Sequence, residues 1–186
     1  MPPSIETRAT LDDLGRVEGK AELVGGRIIH LMGSGRRPVR VAGRIFRSLD
    51  DHAAAVGRGE ANTDGLSFAV TGLASGRESF MPDVSYHSGA FPADEMRRID
   101  GPPTLAVEVR SEHDQGRAAG AAMAAKRADY FEAGTLVVWD VDPVAELIHV
   151  HRRDDPGRVT TYARGDVAEA EPAAPGWRIA VAAVFG

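Results

Sequence analysis

Apolar and polar positions alternate along this chain with two periods, and the switches between them predict its elements. Thr10-Leu-Asp-Asp13 reads as a helix start, with Thr10 as cap and acidic residues where the helix dipole favours them. Lys20–Val24 and Arg27–Met32 flank Gly25-Gly26, which predicts a hairpin with the glycine pair at a positive-φ turn. From Arg36 to about Val56 the period becomes helical, at roughly 100° per residue. Val41, Ile45 and Leu49 then share one side, and Arg37, Arg40, Arg44 and Arg47 share the other. Gly57–Gly76 holds short alternating segments, including Leu66–Val70, that read as strands broken by glycine. Phe80–His87 reads as a further strand entered through Pro82, a residue suited to a strand start or edge. Ala90–Pro103 reads as a surface loop with a charged run at Asp94–Arg98.

The second half is more regular. Leu105–Arg110 is a near-apolar strand, and an alanine-rich helix over about His113–Ala133 follows it, closed by Gly134. Thr135–Val141 is again a strand, and Glu146–Arg152 runs back from it with clean alternation after a turn at Asp142-Pro143. Val159–Ala163 is a short strand, Glu171–Gly176 a proline-rich turn, and Trp177–Val184 closes the chain. A long helix between two apolar strands is the pattern of a crossover that makes the strands parallel. The fold expected is therefore α/β, a central mixed sheet flanked by helices with extra β-hairpins.

Composition narrows this further. A chain of 186 residues with 43% hydrophobic positions suits a single domain, 1–186, with a sizeable core. No apolar run approaches the ~20 residues of a membrane span. The N-terminal Met1-Pro-Pro-Ser-Ile-Glu lacks the basic and apolar regions of a signal peptide, so a cytoplasmic location is expected. The absence of cysteine excludes thiolate catalysis, disulfides and cysteine-based zinc sites. A formal charge of −5 argues against a charge-driven nucleic-acid coat protein but is compatible with an enzyme whose site is rich in carboxylates. No motif supports a small-molecule cofactor.

Glu108 changes the picture most. It lies among Leu105, Val107 and Val109 in a strand that should be buried, and an unpaired buried charge costs several kcal/mol or more. An arginine is one candidate partner. A divalent cation shared with Asp83 is another, if the two strands are neighbours, and oxygen ligands suit Mg²⁺ or Mn²⁺. Lys126 shares a helical face with Ala119, Ala122, Met123, Tyr130 and Ala133, the small apolar face that should pack on the sheet. Its ammonium either snorkels to water or reaches the carboxylates at the end of the sheet. Glu22 reads as an exposed strand carboxylate or as an auxiliary group beside such a site. Arg37, Arg40, Arg44 and Arg47 form a solvated basic face or a set of phosphate contacts. His149 and His151 fall on one face of a strand, which is more simply an exposed face than a metal pair. His30, His52, His87 and His113 have no ligand spacing.

The order Pro82-Asp83, Glu108-Val109-Arg110 and helical Lys126 resembles the PD-(D/E)XK nuclease superfamily. More closely, the chain resembles the Uma-two family, described as putative restriction endonucleases. The matching segments are Ala21-Glu-Leu-Val-Gly-Gly-Arg-Ile-Ile29, Met81-Pro-Asp-Val-Ser85, Leu105-Ala-Val-Glu-Val-Arg-Ser111, Lys126-Arg-Ala-Asp-Tyr130 with Gly134, Leu136–Pro143 and Pro175-Gly-Trp-Arg-Ile179. The resemblance implies a restriction-endonuclease-like core in which Asp83, Glu108 and the Val109 carbonyl hold Mg²⁺ or Mn²⁺. It implies that Lys126 orients water or stabilises a charged transition state, that Glu22 assists, and that the reaction is hydrolysis of DNA phosphodiester bonds. Arg110 stands where the superfamily's usual motif has its lysine, and Lys126 matches the helical lysine of the closer relatives. A homodimer would suit an enzyme that cuts two strands. The rival expectation is a nuclease-fold module that has lost efficient catalysis and binds DNA or assembles with proteins, motivated by Arg110 and by a long segment before Lys126 containing Gly116 and Gly120.

Overall fold

The computed structural model describes residues 8–112, 114 and 116–186. In chain order the elements are α1 (Leu11–Leu14), β1 (Ala21–Val24), β2 (Arg27–His30), α2 (Arg36–Val56), β3 (Glu60–Thr63), β4 (Phe68–Ala69), β5 (Ser79–Phe80), β6 (Val84–His87) and β7 (Ile99–Asp100). They continue with β8 (Leu105–Val109), α3 (Arg117–Ala133), β9 (Val137–Asp142), β10 (Leu147–Arg152), β11 (Asp155–Tyr162), β12 (Val167–Glu169), β13 (Arg178–Ala180) and α4 (Val181–Phe185). The main sheet is six-stranded and mixed, in the order β11-β10-β9-β8-β6-β3. β8 and β9 are parallel across the α3 crossover, with Glu108 opposite Asp140. β6 runs antiparallel to β8, with Val84 opposite Val107. Asp83, immediately before β6, and Glu108, in β8, thus stand on neighbouring segments, as sharing one cation would require.

Alternation along β8 and β9 sends residues to two differently covered faces. On one face Val107, Val109, Trp139 and Val141 pack with the α2 stripe of Val41, Ile45, Leu49 and Ala53. Trp139 stacks on Trp177 with ring centroids 4.9 Å apart, and the Trp177 indole N–H donates to Ser48 Oγ at 3.1 Å. On the other face Ala106 and Val138 pack with Tyr130 of α3, Phe68 and Phe80. Each fully buried large apolar side chain contributes roughly 1.5–3 kcal/mol, so the two clusters account for why the sheet is held from both sides. Glu108 faces α3, because it shares the alternation of Ala106.

Local chemistry explains the element ends. Thr10 and Asp13 form a reciprocal capping box at the start of α1. Gly25 and Gly26, at φ 60° and 73°, make the β1–β2 turn. Gly59, at φ 70°, lies against Tyr86, and a Cβ there would sit 2.5 Å from the phenol ring.

The structure corrects several expected boundaries. Phe80–His87 is two strands, because Pro82 has no N–H to donate and the Asp83 side chain instead accepts the Val109 N–H at 2.7 Å. The Ala90–Pro103 loop contains β7, whose Ile99 pairs with Phe68. α3 starts at Arg117, after Gly116 at φ 93°, while the expected start at His113 lies outside the described residues. Trp177–Val184 ends in α4, and β12 was not foreseen. Among the described residues no helix is long and apolar enough to cross a membrane.

Candidate active site

The end of β8, the start of β6, the β1–β2 hairpin and α3 enclose a cavity of about 660 Å³. Glu22, Asp83, Glu108, Val109 and Lys126 all line it. Lys126 does not snorkel to bulk water. Its Nζ lies 2.8 Å from Glu108 Oε1 and 2.9 Å from Glu22 Oε1. Ala119, Ala122 and Met123, on the same helix face, line the cavity beside it.

Glu108 is held on one oxygen only. Tyr130, one helical turn beyond Lys126, donates its hydroxyl to Oε1 at 2.7 Å, beside the Lys126 contact. Asp83 likewise uses Oδ2 for the Val109 N–H. Among the described residues no hydrogen bond occupies Glu108 Oε2 or Asp83 Oδ1. Burial pushes the Glu108 carboxyl up to about 7 against the pull of the Lys126 ammonium, and the nearby Asp83 and Glu22 charges push the same way. Burial also raises Asp83, opposed by the Val109 N–H and Lys126. Lys126 is desolvated too, but Glu108 and Glu22 outweigh this and hold its pKa above the ordinary lysine value. It is therefore an ammonium, a donor and a fixed positive charge, and not a proton acceptor.

Glu22 is the main departure from the exposed-strand reading. It is only 4% exposed. Its Oε1 accepts from Lys126 and from the Met81 N–H at 3.0 Å, and its Oε2 accepts from Arg77 Nη1 at 2.5 Å. Burial would raise its pKa, but Lys126 and Arg77 prevail and hold it below the ordinary glutamate value. Arg77 reaches onward to Asp129 Oδ2 at 2.9 Å through Nε.

Arg110 does not replace the missing motif lysine. Its guanidinium forks onto both Asp140 oxygens at 2.7 Å and approaches Asp142 at 3.6 Å. The arginine face of α2 is also elsewhere. Arg37 pairs with Glu146 at 2.8 Å, Arg44 donates to the Val184 carbonyl at 3.1 Å, and none of Arg37, Arg40, Arg44 and Arg47 lines the cavity. His149 and His151 are half-buried rather than exposed, and His149 Nδ1 contacts Thr161 Oγ1 at 2.9 Å. Burial and Arg127 push His151 down to about 4.

Can these residues hold a divalent cation? Among the described residues no three histidine or acidic side chains group closely enough to form a metal cage by themselves. A site here would rest on two carboxylates, a backbone carbonyl and water, which is the donor set Mg²⁺ tolerates. The electrostatics fit a cation at this point: the Asp83 charge pushes the Glu108 carboxyl up, and a divalent ion between the two would relieve that repulsion. Asp83 and Glu108, which line the cavity, each keep one oxygen without a hydrogen bond among the described residues.

Sequence reasoning found Asp83, Glu108 and Lys126 but missed Arg77, Asp129 and the hydroxyl role of Tyr130. The signal for two of them was present: Lys126, Asp129 and Tyr130 stand at i, i+3 and i+4 on a helix face otherwise small and apolar. Nothing in the sequence marks Arg77.

Comparison with known proteins agrees with this architecture. The structure is similar to the crystal structure of a protein described as a putative nuclease belonging to DUF820 from Anabaena variabilis ATCC 29413. The TM-score is 0.70 at 18% sequence identity, over 95% of this chain and 97% of that one, a likeness that shows a shared fold. No curated protein sequence matches the chain. Residues 10–182 match the Uma2 family, described as "Putative restriction endonuclease". With all but the ends of its sequence inside that match, the chain belongs to the Uma2 family.

Proposed function

We propose that this protein hydrolyses phosphodiester bonds in DNA as a divalent-metal-dependent endonuclease. The observation that carries the reading is Lys126: its ammonium enters the cavity from α3 and lies 2.8 Å from Glu108, a carboxylate on the same cavity wall as Asp83. Asp83, Glu108 and the Val109 carbonyl would hold Mg²⁺ or Mn²⁺. Such an ion, when bound, acidifies a water and screens phosphate charge. Membership of the Uma2 family and a fold shared with a protein described as a putative nuclease support the same reading.

The chain's own residues have distinct tasks. Glu108 keeps Oε2 open because Lys126 and Tyr130 both bind Oε1. The Val109 N–H fixes the Asp83 carboxylate through Oδ2 and leaves Oδ1 open. Lys126 supplies a permanent positive charge where negative charge develops on a phosphate, and such a preorganised donor typically contributes about 10²–10³ in rate. It is not the base that takes a proton from water, since its neighbours hold it protonated. Glu22 has both oxygens engaged, which makes it a support for Lys126 in preference to a metal ligand. Cutting both strands of a duplex needs two such sites, which a homodimer would supply.

The test is cleavage of supercoiled and linear DNA with Mg²⁺ or Mn²⁺, with EDTA as control, for wild type, Asp83→Ala and Lys126→Ala. The reading expects metal-dependent nicking that both substitutions abolish. Equal activity in all three proteins would remove the assigned site. Metal binding without cleavage in wild type would favour a nuclease-fold binding module.

A further inference from the structure

We propose that Arg77 and Glu22 form a positioning pair that fixes the Lys126 ammonium, with Arg77 as its anchor. The inference rests on the nuclease reading of the site and extends it to Arg77, which that reading does not use.

Arg77 lies between β4 and β5, and its backbone is stitched to the β1–β2 hairpin. The Gly25 N–H donates to the Gly76 carbonyl at 2.7 Å, and the Glu78 N–H donates to the Leu23 carbonyl at 2.8 Å. The side chain points inward and is 13% exposed. Its guanidinium binds Glu22 on β1 and Asp129 on α3, so one group ties the hairpin to the helix that carries Lys126. The guanidinium carbon stands 5.4 Å from the Phe80 ring centroid, and Phe80 stacks on Tyr130 at 4.0 Å. The clamp is therefore packed as well as hydrogen-bonded.

Glu22 divides its two oxygens. Oε2 takes Arg77, while Oε1 takes Lys126 and the Met81 N–H. With Oε2 anchored, the carboxylate cannot rotate without breaking a charge-assisted bond. Lys126 has a four-carbon stem with many rotamers. It is held at one place because Glu22 and Glu108 fix it from two sides. Two further members of the cluster serve the same end. Asp129 orients Arg77, and Tyr130 orients Glu108. Lys126, Asp129 and Tyr130 all come from α3, so the helix supplies the ammonium together with a partner for Glu108 and one for the Arg77 guanidinium that holds Glu22. Supporting residues of this kind typically matter by about 10–100-fold in activity.

The test compares wild type, Arg77→Met and Arg77→Lys, with two readouts. In DNA cleavage with Mn²⁺, Arg77→Met should lower kcat about 10–100-fold with KM held within about twofold, because Arg77 touches no substrate, and Arg77→Lys should recover part of the loss. The second readout needs no cleavage. Carboxyl ¹³C NMR should place the Glu22 titration below 4.5 in wild type, raise it in Arg77→Met and lower it again in Arg77→Lys. A raised midpoint together with the kcat loss supports the pair. If wild type does not cut DNA, the nuclease reading fails, and a raised midpoint still supports the pair. An unmoved midpoint, unchanged kcat, or a loss confined to KM overturns it. Should Arg77→Met not fold, Arg77→Gln, which keeps a polar side chain but removes the guanidinium charge from Glu22, carries the same comparison.

Discussion

Replacing Glu108 by glutamine should stabilise the metal-free protein by an amount that grows with pH. Glu108 titrates at about 7 in the folded chain, against the model carboxyl value of 4.5. The folded state therefore binds more protons than the unfolded one between these values. Its favourable contribution is fully present below 4.5 and is lost as pH rises through 7. One pKa unit corresponds to about 1.4 kcal/mol, so wild type loses about 2–3 kcal/mol from this group between pH 5 and pH 8. Glutamine has no such titration. It keeps an oxygen for the Tyr130 hydroxyl and gives up the ionic contact with Lys126. That ionic contact exists only where Glu108 is ionised and is already contained in its value of about 7, so the pH slope carries the test. The assay is urea unfolding of both proteins in EDTA at pH 5, 6.5 and 8. With a denaturant slope of about 2 kcal/mol per molar, the midpoint difference should shift by about 1 M in favour of glutamine between pH 5 and pH 8. A difference that stays constant over this range would refute the assignment of Glu108 as a strained buried carboxylate.

Other consequences can be measured with the same proteins. Lys126→Met should cost about 3–5 kcal/mol of stability, because it leaves the buried Glu108 and Glu22 carboxylates without their shared ammonium, and should lose about 10²-fold or more in cleavage; urea unfolding and a cleavage assay separate the two. Since Lys126 is held above the ordinary lysine value of 10.5, wild-type cleavage should not fall between about pH 10 and pH 11, where an ordinary lysine would lose its proton. Mg²⁺ binding at pH 6.5 should release protons, measurable by calorimetry in buffers of different ionisation enthalpy, because Glu108 must ionise to bind, and the affinity should rise with pH up to about 7. Tyr130→Phe should cost about 1.5–3 kcal/mol at pH 8 without metal by removing a hydroxyl bonded to a buried carboxylate, as read by urea unfolding.

The legible parts of the fold were those with a long, consistent period. The α2 stripe of Val41, Ile45 and Leu49 and the β8–α3–β9 crossover both came directly from the pattern. The two-residue strands β4, β5 and β7 are too short to show any period and exist through tertiary pairing, as Ile99 with Phe68 illustrates. The break at Met81–Asp83 was signalled by Pro82, but its cause, the Val109 N–H captured by Asp83, is a contact between separate strands. The site divides the same way. Asp83, Glu108 and Lys126 were visible because each is polar in an apolar setting. Glu22 reads more simply as an exposed strand carboxylate than as an auxiliary group, since a short hairpin strand does not reveal which face is covered. Arg77 lies in a loop segment without periodicity, and only the folded chain puts it between Glu22 and Asp129.

The central claim is that Asp83 and Glu108 share a divalent cation within reach of Lys126. The most direct measurement is the position of Mn²⁺ in crystals, found from its anomalous scattering. The account predicts one strong peak about 2 Å from oxygens of Asp83, Glu108 and the Val109 carbonyl, absent in Asp83→Ala crystals. Mn²⁺ bound only elsewhere, or a peak that survives Asp83→Ala unchanged, would contradict it.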